Sequence, residues 1–201
     1  MPFIASPSGV NYSVPGPTAT ALARFFAIYS ANFHYNPSVS ATEEFQRLCE
    51  VKGWDKEEDG YWSQAHGTAY HKFKEALVQQ FNATYGTDVN SIVSWQALCG
   101  AIGVDPVPDT LKECQSNILS SHVNLVDLAE ARADGTERRV ELFPSEVALS
   151  VYTLRTKKIF PKDTAYHTGL LRFLLRHILH PRKEPVARTV RAPKAKRGLS
   201  L

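Results

Sequence analysis

Five side chains spaced four residues apart, Ala69, Phe73, Leu77, Phe81 and Tyr85, constrain this chain more than any other feature. Spacing of i+4 stacks them into one ridge on an α-helix, and Gly86 stands where such a helix stops. The pattern predicts a helix from about Ser63 to Tyr85, and its apolar ridge makes it the central core helix of whatever fold forms. The chain has 201 residues, 43% of them apolar and 21% charged, which suits one globular domain and excludes a collagen-like, coiled-coil or wholly disordered chain.

Around this helix the sequence places shorter ones. Thr18 is a candidate cap for a helix carrying Leu22, Phe25, Phe26 and Tyr29. Ser40 to Glu43 has capping-box spacing and opens a helix with Phe45, Leu48 and Cys49 on one face. A helix from about Asn90 to Ala101 turns Trp95 and Leu98 inward, and Thr110 caps another that buries Leu111, Cys114, Ile118 and Leu119. Residues 123–128 and 139–143, joined by a polar stretch with Asp134-Gly135, read as a β-hairpin with a long tip, although 123–133 also has a helical reading. Ser145 caps a further helix, broken near Pro161, and Asp163 opens a last one that runs to about His180.

The expected architecture is therefore mainly α: a single-domain helical bundle of six to seven helices with one β-hairpin, spanning 18–180, between mobile tails at 1–17 and 181–201. Helix 90–101, a turn and helix 110–119, followed by a hairpin, is an order compatible with a winged-helix module. Its turn is about two residues too long for a tight helix-turn-helix, and its candidate recognition helix offers only Lys112 as a cation.

Charge is divided unevenly along the chain. Residues 1–154 hold 10 Lys/Arg against 18 Asp/Glu, whereas residues 155–201 hold 13 against 2. The basic end invites a polyanion or an acidic protein partner. In the expected last helix Arg172 and Arg176 share an arc with His177, His180, Phe173 and Tyr166, opposite a leucine face. The plainer reading is a terminal core helix with a solvated basic side. Beyond it, Arg182-Lys183 is separated by ten residues from Lys194, Lys196 and Arg197, a spacing like that of a bipartite signal read by a nuclear import receptor. Elsewhere, Trp54 and Trp62 frame an acidic loop and are candidate protein contacts, or else fold inward around it.

Catalytic and cofactor motifs are missing: there is no GxSxG, HExxH, GxGxxG or GxxxxGK[ST]. His66 and His71 lie about 140° apart on a helix, a poor pair for a metal. Three cysteines without a CxxC pair, Cys49, Cys99 and Cys114, suit buried reduced thiols. No signal peptide and no membrane span are expected. Together these point to a non-enzymatic nuclear protein without cofactor or metal, an adaptor or nucleic-acid-associated, with a cytosolic protein-interaction scaffold as the alternative.

The segments FHYNP (33–37), EFQRL (44–48), KGW (52–54), ALVQQFNATYGTDVNS (76–91), WQALC (95–99), DPVP (105–108), VNLVDL (123–128) and KIFPK (158–162) resemble an uncharacterised family of small fungal proteins, largely from basidiomycetes, with no assigned activity. The resemblance spans about residues 25–178. It implies one intact domain with variable tails and supplies no catalytic residue.

Overall fold

The apolar ridge forms a helix of the expected length. In a computed structural model, which describes residues 19–54, 60–131, 140–161 and 169–181, it is Gln64–Tyr85. Ser63 accepts from the His66 amide at its start, and Gly86 at φ 82° ends it, where a Cβ atom would lie 2.9 Å from Ser94 Oγ. All five ridge side chains are buried.

Eight helices occur among the described residues. They are α1 (Ala21–Ala27), α2 (Ala41–Lys52), α3 (Gln64–Tyr85), α4 (Ile92–Ala101), α5 (Leu111–Ser120), α6 (Leu125–Glu130), α7 (Glu146–Thr156) and α8 (Leu171–Leu174). α3 joins two apolar clusters. Its first half meets Leu22, Phe25 and Phe26 of α1 and Phe45 and Leu48 of α2, with the Phe45 and Phe73 rings stacked at 4.6 Å. Its second half meets Trp95 and Leu98 of α4, Ile118 of α5, Leu128 of α6 and Leu171 of α8.

Helix starts follow the expected chemistry at Thr110 and Ser145, whose hydroxyls accept from Glu113 and Ala148. α1 is capped by Thr20, two residues beyond the expected Thr18, which lies outside the described residues. The Ser40 capping box does not form. Ser40 Oγ and the Ala41 amide instead both donate to Glu130 Oε1, at 3.2 and 2.7 Å, so α2 is capped by a carboxyl at the end of α6.

The expected hairpin is also replaced. Residues 125–130 are α6, and what joins the two expected arms is one antiparallel bridge, Val123 to Leu142, with the Phe143 amide donating to His122. The tip, 132–139, lies outside the described residues. The reason sits at Asn124. Its Oδ1 accepts from the Val126 and Asp127 amides, which starts a helix, and its Nδ2 donates to Thr153 Oγ1 at 2.9 Å and the Lys158 carbonyl at 3.0 Å. These contacts outweigh the β preference of Val123 and Val126. Among the described residues no paired hairpin and hence no wing is present, and the winged-helix-like reading of the middle of the chain is not supported. α4 and α5 pack instead as a helical pair, with Cys99 Sγ 3.8 Å from the Cys114 carbonyl.

The last helix is shorter than its leucine pattern predicts. Residues 162–168 are not described, α8 spans one turn, and Leu175 is already extended at ψ 133°. Where the chain enters α8, Gly169 has φ 23° and runs so close to Thr87 that a Cβ atom would lie 1.9 Å from its carbonyl oxygen.

Asn124→Ala removes a helix cap and strands the buried Thr153 hydroxyl and the part-buried Lys158 carbonyl. It is expected to lower unfolding free energy by about 2–4 kcal/mol, read by urea denaturation, and a loss under about 0.5 kcal/mol contradicts this account of Asn124.

Candidate functional site

The cations of the basic end separate into two groups once placed. Arg172 is exposed, with its guanidinium carbon 4.7 Å from the Phe173 ring centroid. Arg176 is turned back into the fold. Its Nη2 donates to the carbonyls of Leu119 and Ser121 at 3.0 and 3.1 Å, and its Nη1 to those of Phe173 and Leu175 at 3.0 and 3.3 Å. Leu119 and Ser121 close the C-terminal end of α5, where orphan carbonyls and the helix dipole favour a cation.

This explains why the expected basic helix face does not form. Backbone groups past Leu174 are claimed by neighbours: the His177 amide donates to Glu146 Oε1 at 2.7 Å, and Ser150 Oγ donates to the Ile178 carbonyl. Arg172, Arg176, His177 and His180 therefore do not share one helical arc, and Tyr166 lies outside the described residues. So do Arg182, Lys183, Lys194, Lys196 and Arg197.

The two tryptophans take different roles. Trp54 is partly buried, edge-on to Tyr29 at 5.7 Å, against the apolar cluster of α1 and α2. Trp62 is half-exposed and stacks on His66 at 4.1 Å, and His66 lies near-parallel to Tyr70 at 5.9 Å. Burial lowers the His66 pKa, so this ring is the neutral imidazole at physiological pH. Residues 55–59 of the acidic loop lie outside the described residues.

A polar cluster that the sequence did not announce lies between α6 and α7. Lys158 Nζ donates to Asp127 Oδ1 at 2.6 Å, Tyr152 OH donates to Asp127 Oδ2 at 2.8 Å, and Lys158 Nζ lies 3.3 Å from the Tyr152 hydroxyl. Burial acts to lower the Lys158 pKa, but the bonds to Asp127 outweigh it and the net shift is upward. Burial and then Asp127 raise the Tyr152 pKa. At neutral pH the pair is ammonium and phenol, an arrangement that cross-links elements rather than one poised to take a proton. Only the i,i+3 relation of Asp127 and Glu130 on one helix could have hinted at it.

The cluster borders a cavity of about 470 Å³, also lined by Glu43, Glu130 and Glu141. Glu130 is 6% exposed. Burial, and then the Asp127 charge, push its carboxyl up to about 7, against the lowering by the Ala41 amide, Lys158 and Ser40. Both of its bonds enter Oε1, so a neutral acid fits: Oε1 acts as the carbonyl oxygen and Oε2 carries the proton.

Among the described residues no group of three or more His, Cys, Asp or Glu is arranged to hold a metal ion, and no helix is long and apolar enough to cross a membrane. The three cysteines are free thiols, with Cys99 and Cys114 buried. Burial, and then Cys114, push the Cys99 thiol up to about 12. Comparison with protein-family models, curated proteins and solved structures gives no match.

Because Glu130 has a higher pKa folded than unfolded, about 7 against 4.5, protonation favours the folded chain. Its contribution is full below about pH 4.5 and is lost as pH rises through 7. Glu130→Gln is expected to remove this dependence. The stability of E130Q relative to wild type should rise by about 2–3 kcal/mol between about pH 5 and 8, and a constant difference excludes it.

Proposed function

We propose that this chain is a non-enzymatic nuclear binding protein of the small fungal family that its motifs resemble, using its basic C-terminal segment to hold a polyanion. The observation that carries this reading is the division of charge, 13 Lys/Arg against 2 acids over residues 155–201, next to an acidic body with 10 against 18. Arg176 leaves the binding surface, since its guanidinium is spent on four carbonyl oxygens. The cations offered to the partner are Arg172, Arg182, Lys183, Lys194, Lys196 and Arg197. The two clusters among the last five also supply the import signal.

Nucleic acid is preferred over an acidic protein partner because the cations recur along the chain, as phosphates do along a strand. A second reading, a cytosolic scaffold, has one observation in its favour: Trp62, half-exposed over His66, beside Tyr61 at 74% exposure. Trp54 leaves that reading because it packs inward against Tyr29.

The test is fluorescence anisotropy with a labelled generic DNA duplex, comparing wild type with a full-length variant carrying Glu at 182, 183, 194, 196 and 197. Wild-type affinity should fall by roughly 10²–10³-fold between about 50 and 200 mM salt, as five phosphate contacts require, and the variant should not bind. Wild-type protein that fails to bind at the lower salt overturns the nucleic-acid reading, and binding insensitive to salt favours the scaffold. A fluorescent fusion of the same variant is expected to lose nuclear accumulation.

A further inference from the structure

Lys158 lies at the boundary between two cavities. The polar one holds its ammonium against Asp127, and the other, of about 340 Å³, is walled by Leu125 of α6, Leu149 of α7, the loop at Phe160 and the chain from Leu174 to His180. Its walls are held by bonds already described: Asn124 to Thr153 and the Lys158 carbonyl, the His177 amide to Glu146, and Ser150 to Ile178. The cavity is thus largely formed before any ligand arrives.

Its charge is one-sided. Among the described residues no Asp or Glu lines it, whereas Lys74, Lys158, Arg176, His177 and His180 do. This contrasts with the polar cavity, where four carboxyl groups face one lysine. Lys158 is committed to Asp127, so the side chain that matters is Lys74, on α3. Its ammonium lies 5.3 Å from the Tyr70 ring centroid and bonds to no carboxylate among the described residues. Apolar walls with a rim whose described charges are all cationic match a small amphiphile bearing a single negative head.

We propose that this cavity binds a small monocarboxylate with an apolar body, such as a medium-chain fatty acid, with the chain between Leu125, Leu149 and Leu174 and the carboxylate at Lys74. A neutral amphiphile forgoes the Lys74 contact, and a cationic one meets like charge. The site asks for a single charge on an apolar body, unlike the polyanion proposed for the basic segment.

The experiment is calorimetric titration of the full chain at neutral pH with octanoate, octan-1-ol and octylammonium, and with hexanoate and acetate as shorter chains on the same head. Octanoate is expected to bind at least about tenfold more tightly than octan-1-ol, octylammonium and acetate are expected not to bind, and each methylene removed should weaken binding roughly fourfold. Lys74→Gln, a partly buried helix position that tolerates glutamine, should abolish the preference of acid over alcohol while leaving alcohol binding intact. Nuclear Overhauser contacts from the octanoate chain to Leu149 and Leu174 methyls place it. No octanoate binding, equal affinity for acid and alcohol, tighter binding of octylammonium, or an unchanged preference in K74Q each overturns the proposal.

Discussion

One buried amide, that of Asn124, holds together the parts of this molecule that carry its chemistry. At 3% exposure it uses both of its donors and accepts twice, so none of its polar capacity is wasted. Its oxygen starts α6, which positions Asp127 and Glu130. Its nitrogen holds α7 at Thr153 and the following loop at the Lys158 carbonyl. The Asp127, Tyr152 and Lys158 network therefore consists of side chains whose backbones are already tied to one residue. Both cavities border that tie, the polar one through Asp127 and the apolar one through Asn124 itself.

A second organising pressure comes from helix ends. α5 finishes against Arg176, from a segment 57 residues beyond Leu119, and α2 begins against Glu130, 89 residues beyond Ala41. The end of α5 is served by a cation of the sign that its dipole favours, and the start of α2 by an accepting carboxyl oxygen. Groups that look like surface charges in the sequence thus become internal fasteners, and the solvated charge of the folded body differs from a simple count.

Local pattern carried much of the fold. The α3 ridge, the hydroxyl caps at Thr110 and Ser145, and the glycine stop at position 86 rest on contacts within a few residues, and they stand where their spacing put them. The failures share a cause. Residues 123–128 alternate well enough for a strand until Asn124 finds Thr153 and Lys158, and Leu170 to Leu179 repeat well enough for a helix until Glu146, Ser150 and the end of α5 claim their backbone and Arg176. Every partner in these cases lies about 28 or more residues away, beyond the reach of any periodicity. The site was less legible still, because Asp127, Tyr152 and Lys158 form no motif until α6 and α7 pack.

Capping at long range also sets an order of events during synthesis. When α1 and α2 leave the ribosome, the Ala41 amide and the Ser40 hydroxyl have only water to bond, and their acceptor is still 89 residues from being made. α2 can flicker into helix on its own, yet it cannot acquire its final N-terminus until α6 has emerged and folded back. The first quarter of the chain is therefore completed by its middle: a nascent chain halted before Glu130 has α1 and α3 to cover Phe45 and Leu48 of α2, yet still lacks the acceptor that closes its N-terminus.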